Sequence, residues 1–116
     1  MDTPRLHHRK HYRKKLKNLP SVFLTTTANE FGLVVDINVD GMMVLTTAAH
    51  PINQRYQLSL PPLEPLPDCA PIELTVIVLW CEETGDNQQY WVGCQFVELT
   101  PATTNGIRQW VDNPFI

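Results

Sequence analysis

From Ser21 to Val97 the chain keeps returning to one pattern: six to ten residues rich in β-branched and apolar types, then a turn signal. The runs are Ser21–Thr27, Glu30–Val35, Met42–Thr47, Arg55–Leu60, Ile72–Cys81 and Gln89–Val97. Between them stand Ala28-Asn29, the Asp36–Gly41 turn, a loop with Pro51, a proline-rich stretch and Gly85-Asp86-Asn87. Such short runs punctuated by turns predict six strands in an all-β barrel or sandwich. Pro61, Pro62, Pro65, Pro67 and Pro71 make their stretch a stiff loop, because a proline cannot donate to a central ladder.

One helix is predicted after the strands, at about 101–112. Thr100 is placed to cap it, with Pro101 at its first position. Ile107, Trp110 and Val111 fall at i, i+3 and i+4, one apolar stripe for the barrel. Gly106 costs that helix about 1 kcal/mol relative to alanine, and Asn113-Pro114 stops it.

At 116 residues the chain is one domain, large enough to bury roughly 65% of its unfolded surface without staples. Its 43% hydrophobic and 18% charged residues are those of an ordinary globule. The net charge of −3 conceals an asymmetry. The first 18 residues hold seven of the nine Lys and Arg against Asp2 alone, +6; the remainder holds two against eleven, −9. The expected division is therefore a flexible basic arm over 1–19, anchored by Leu16 and Leu19 and closed by Pro20, and a barrel with its helix over 20–116. A basic arm on an acidic body calls for an anionic ligand or a latch of arm onto body.

Cys69, Cys81 and Cys94 are odd in number and show no CxxC spacing, which argues against a disulfide scaffold or zinc site and for a reducing cytoplasm. No apolar stretch approaches the 18 or so residues of a membrane span, and no apolar segment follows the basic N-terminus as in a signal peptide. His7, His8 and His11 could gather on one helical face, but without carboxylate or thiolate support they read as polar surface rather than a metal site.

Two pieces carry chemistry. In Arg9-Lys10-His11-Tyr12-Arg13, two guanidinium forks stand four positions apart, suited to guanine O6 and N7 or to paired phosphate oxygens. In Asp36-Ile37-Asn38-Val39-Asp40-Gly41, carboxylate and amide offer acceptors for guanine N1–H and N2–H2 beside a glycine. Together they suit a small guanine nucleotide. D-x-N-x-D-G also opens an EF-hand loop, but position 12 would be Thr47 instead of a bidentate Glu, and the flanks are strands. Read for structure alone, the segment is a tight turn in which Asp and Asn bond their own backbone and Gly41 takes positive φ. Enzyme chemistry finds no support: no nucleophile–base spacing, no phosphate loop, and only the solvated pair Glu82-Glu83 as adjacent carboxylates.

RxxxR, then [DN]-x-S-x-x-G at a strand-to-strand turn, in a small barrel with a C-terminal helix, resembles the PilZ domain family. The resemblance covers nearly the whole chain, including the Ile72–Trp80 strand and Gly93-x-x-Phe96. Arg5 and Arg9 give a second RxxxR register; Arg9 and Arg13 are preferred because Arg13-Lys14-Lys15-Leu16 leads into the first strand as in that family. The resemblance implies a six-stranded antiparallel barrel and a non-catalytic, cytoplasmic bacterial receptor for cyclic di-GMP, with no cofactor, that relays the signal to an effector protein. Arg9 and Arg13 would take guanine Hoogsteen edges and phosphates, Asp36 a guanine base, and Gly41 would allow the turn. Trp80 matches a position where some members stack an aromatic on guanine; the other reading is a barrel-core tryptophan. Asn38 departs from the usual Ser, and His8 stands where many members carry another basic residue, which leaves one ligand molecule or a stacked pair open. The alternatives are a degenerate PilZ-like interaction module without ligand, and a small nucleic-acid-binding barrel using the basic arm and Tyr12, which the acidic body disfavours.

Overall fold

The computed structural model describes residues 14–16, 19–61, 71–86 and 88–112. Strands β1 (Lys14–Lys15), β2 (Ser21–Leu24), β3 (Glu30–Ile37), β4 (Gly41–Thr46), β5 (Arg55–Leu60), β6 (Ile72–Glu83) and β7 (Tyr90–Val97) precede helix α1 (Pro101–Asp112). Six of the strands pair in the ring β3-β2-β5-β6-β7-β4, and the β3–β4 pairing closes it. All of these pairings are antiparallel, and β1 adds to β3. The expected closed barrel with a C-terminal helix is the fold.

Alternation fills it. Side chains of a strand point to opposite faces with period two, so Met42, Val44 and Thr46 of β4 turn inward, as do Leu58 and Leu60 of β5. Leu74, Val76 and Val78 of β6 meet Val92, Cys94 and Phe96 of β7 in the same core. Fully burying an aliphatic side chain contributes about 1.5–3 kcal/mol. Ile107 and Trp110 of α1 are buried with the barrel residues, and Leu16 joins the core just after β1. Thr100 caps α1 as its sequence position predicts, its Oγ1 accepting the Thr103 amide at 3.1 Å.

β2 is shorter than its β-branched run. Thr25–Thr27 form a turn, closed by the Ala28 amide donating to Leu24 O at 2.8 Å, with Ala28 at φ 62°. Propensity favoured continuing the strand, but the chain has to reverse here to pair Phe23 with Glu30.

Besides a shift between Val22 and Phe23 where β2 pairs with β3, two register shifts break the alternation on the strands that carry the candidate residues. One lies between Val34 and Asp36 on β3, the other between Val78 and Trp80 on β6. A bulge sets two residues against one and so reverses which face the following residues take. Counting by twos from Val34, Asp36 would point into the core; instead Ile37 pairs with inward Met42, and Asp36 pairs with Met43 on the outer face. Counting by twos from Leu74, Val76 and Val78, Trp80 would be internal; instead Cys81 lies opposite inward Val92, and Trp80 opposite Gly93. The extra residue of the second bulge, Leu79, is 49% exposed.

Candidate functional site

The two bulges put the polar candidate and the aromatic candidate on one outer face. Trp80 of β6 pairs with Gly93 of β7, Gly93 with Met43 of β4, and Met43 with Asp36 of β3. Four strands therefore carry a single row, Trp80–Gly93–Met43–Asp36, spanning roughly 14 Å at about 4.8 Å per strand. Trp80 is half-buried on this outer row and is not part of the barrel core; Trp110 is the core tryptophan.

Asp36 is only 5% exposed although it faces outward. β1 runs beside it, with Lys15 opposite Asp36, Lys14 opposite Ile37, and the Leu16 amide donating to Val35 O at 3.0 Å. A buried carboxylate is tolerated only where it is hydrogen-bonded or paired, and Asp36 does have a polar partner. The strand that covers it starts one residue after Arg13. Arg9, Arg13 and the histidines His7, His8 and His11 lie outside the described residues.

The turn between β3 and β4 is built by Asn38. Its Oδ1 accepts the Asp40 amide at 2.7 Å and the Gly41 amide at 2.9 Å, and its own amide donates to Gly41 O at 2.9 Å. The side chain is 3% exposed. An asparagine bonding the backbone two and three residues ahead closes a tight turn. The oxygen is thus committed to the fold, and Nδ2 is the donor that Asn38 has for anything outside it. β7 clamps the same turn, since the Phe96 amide donates to Asp40 O at 2.8 Å.

Gly41 corrects the expectation of a positive φ: among the described residues no glycine has one. Its reason is proximity. A Cβ at Gly41 would run into the Cys94 carbonyl oxygen of β7, with Cys94 C and Gln95 Cα both at 3.3 Å. The turn and the β4–β7 pairing need the same missing side chain. Strands flank the loop on both sides, where an EF-hand needs helices.

At the other end of β4 the chemistry is different. His50 Nδ1 and Tyr56 Oη are 2.9 Å apart, and Phe31 packs on both rings with centroids at 4.7 Å and 5.1 Å. Burial lowers the His50 pKa and raises that of Tyr56, the latter helped by the neighbouring Cys94. Burial, with Cys81 second, pushes the Cys94 thiol up to about 12, so it stays protonated and inert at neutral pH. Three shallow hollows of about 400, 320 and 390 Å³ share Glu73, at the opposite end of β6 from Trp80. That carboxylate already accepts Thr25 Oγ1 and Ser59 Oγ, each at 3.0 Å.

Sequence reasoning selected Asp36, Asn38, Gly41 and Trp80, and the fold sets Asp36 and Trp80 in one row with Asn38 and Gly41 in the adjoining turn. It missed Met43 and the part played by Gly93. The signal for Gly93 was available: a glycine inside a β run marks a close approach by another group.

The sequence profile of the PilZ domain matches residues 7–113. No curated protein matches the chain. Among solved structures, the Bacillus subtilis inhibitor of motility MotI/DgrA superposes with a TM-score of 0.70 at 13% identity, over 89% of this chain and 48% of that one. The PilZ domain of YcgR from Escherichia coli with c-di-GMP gives 0.64 at 13% identity, over 89% of this chain and 88% of that one. The K. pneumonia MrkH–c-di-GMP complex gives 0.61 at 16% identity, over 88% and 50%. The chain thus spans about half the length of MotI/DgrA and MrkH and most of the YcgR domain. The described residues include no helix long and apolar enough to cross a membrane. With the profile running over almost its full length and the closed barrel that its neighbours share, the chain belongs to the PilZ domain family.

Proposed function

We propose that this protein is a non-catalytic receptor for the bacterial second messenger cyclic di-GMP. Arg9 and Arg13 grip guanine O6 and N7 and the phosphate oxygens with their planar forks. Asp36 accepts from a guanine N1–H and N2–H2, Asn38 Nδ2 donates to a phosphate oxygen, and Trp80 offers its ring to a base. Gly41 holds the turn against β7. Bound ligand orders the arm over the barrel, and the changed surface is read by an effector protein in the cytoplasm.

The observation that carries this reading is the outer placement of Asp36 beside β1, which begins one residue after Arg13. β1, which follows Arg13 directly in sequence, is paired along β3 with Lys15 opposite Asp36. Family membership and two neighbours solved with c-di-GMP support the choice of ligand.

Calorimetric titration with cyclic di-GMP tests it, with GTP and a short single-stranded DNA as controls. Low-micromolar or tighter binding that is lost in Arg9→Ala and Arg13→Ala, with the barrel still folded, is the expected result. Unchanged affinity in either variant would remove that arginine from the site. A flat titration of the unmodified protein would leave a ligand-free interaction module, and salt-sensitive DNA binding would make the arm a nucleic-acid contact.

A further inference from the structure

Gly93 and Trp80 face each other across β6 and β7 on the outer row. A Cβ at Gly93 would fall well inside contact distance of the indole Nε1 and Cε2 and 2.8 Å from Cδ1. The pyrrole edge of the indole therefore occupies the space that any other residue at 93 would fill. Gly93 is itself opposite Met43, and Met43 opposite Asp36, so a ring lying over Gly93 extends from its own strand toward the carboxylate. The bulge at Leu79 brings Trp80 to this face, opposite Gly93.

We propose that Gly93 is a positioning residue for ligand: by lacking a side chain it seats the Trp80 indole across β7 as a platform for a purine base, in line with Asp36. The inference rests on the cyclic di-GMP reading above and extends it to a residue with no side chain of its own to offer. A base stacked on this platform lies in the same row as the acceptor that reads its edge. Stacking energy depends on ring overlap, so an indole pushed off Gly93 loses the base even though Trp80 is still present.

A glycine under an aromatic ring can also serve the sheet alone, by restoring packing at a residue without a side chain. The two roles separate by experiment. Gly93→Ala, Trp80→Ala and the double variant are titrated with cyclic di-GMP, and the Trp80 indole N–H resonance, assigned by its loss in Trp80→Phe, is followed without ligand. Gly93→Ala is expected to move that resonance and to weaken binding on the order of ten-fold, the scale of one lost base–aromatic stack. In the Trp80→Ala background the same substitution should have no further effect, because no ring remains to be displaced. Wild-type affinity in Gly93→Ala, or an equal loss with and without Trp80, would overturn the proposal while leaving the receptor reading intact. Absence of binding by the wild type would overturn the receptor reading, and this proposal with it. If Gly93→Ala does not fold, Trp80→Leu takes its place: it fills the seat without a planar ring. A ten-fold loss is then expected, and unchanged affinity would refute the platform.

Discussion

The inside of this barrel and its outer row obey different rules. Inside, Val22, Val34, Val44, Val76, Val78 and Val92 are all fully buried, one residue type recurring beside leucine, isoleucine and methionine. On the outer row Trp80, Gly93, Met43 and Asp36 are four different types, each opposite the next. Interior positions ask only for volume and apolarity, so neighbours can compensate for one another. In the proposed site, outer-row positions need a ring, a gap and a carboxylate at fixed offsets. Stability is distributed over the interior, while the proposed recognition is concentrated outside it.

The sharpest way to break that contrast is Leu58→Ala. It removes a fully buried side chain and should cost about 2–5 kcal/mol in urea denaturation. Cyclic di-GMP affinity of the folded fraction should stay within about two-fold; a large loss would mean that interior and outer row are coupled. Asn38→Ala comes next. It leaves the Asp40 and Gly41 amides without their acceptor and should cost about 1–3 kcal/mol. Asn38→Asp keeps an oxygen at Oδ1 and should lose less stability, yet it replaces the Nδ2 donor with a negative charge and should bind an anionic ligand worse than either. If Asn38→Asp binds as well as the wild type, Nδ2 faces no phosphate.

A smaller effect is expected at the aromatic end of the barrel. Burial holds the pKa of folded His50 below its ordinary 6.5, so the unfolded chain takes up the proton first. Its contribution is complete above 6.5 and is lost as pH falls from there through the folded pKa. Thermal unfolding from about pH 7 to about pH 5 should therefore show a steeper decline in the wild type than in His50→Gln. Equal slopes would exclude His50 as the cause. The smallest effect belongs to the surface pair Arg55–Glu98, 2.8 Å apart with side chains 56% and 65% exposed. Glu98→Gln should change stability by less than about 1 kcal/mol, and less still at high salt.

Alternation and turn chemistry made the six barrel strands legible, because an antiparallel strand with one buried face writes its period into the sequence. The Thr100 cap was equally readable, since it depends on residues three positions apart. The bulges were not. Nothing in Ile-Val-Leu-Trp-Cys announces an extra residue, yet that residue decides whether Trp80 is core or surface. The same holds for Val34-Val35-Asp36. For Gly41 the residue type was informative and the reason was misjudged: the constraint is the Cys94 carbonyl on a strand more than fifty residues away, which local turn rules do not contain. Long-range proximity, more than local geometry, is what the sequence left unwritten.

The placement of β1 also bears on solubility. β3 is longer than its partner β2: its pairing with β2 ends at Leu33, and the Val34 amide donates to Pro20 O. Beyond that point a bare strand edge would offer its backbone groups to any passing chain, the usual route to intermolecular sheet growth in all-β proteins. Lys14–Lys15 occupies that remaining edge, opposite Ile37 and Asp36, with Leu16 bonded to Val35. The covering strand is itself two residues long and made of lysine, too short and too charged to recruit a further strand. The segment that follows the basic arm in sequence thus also covers this stretch of the β3 edge against self-assembly.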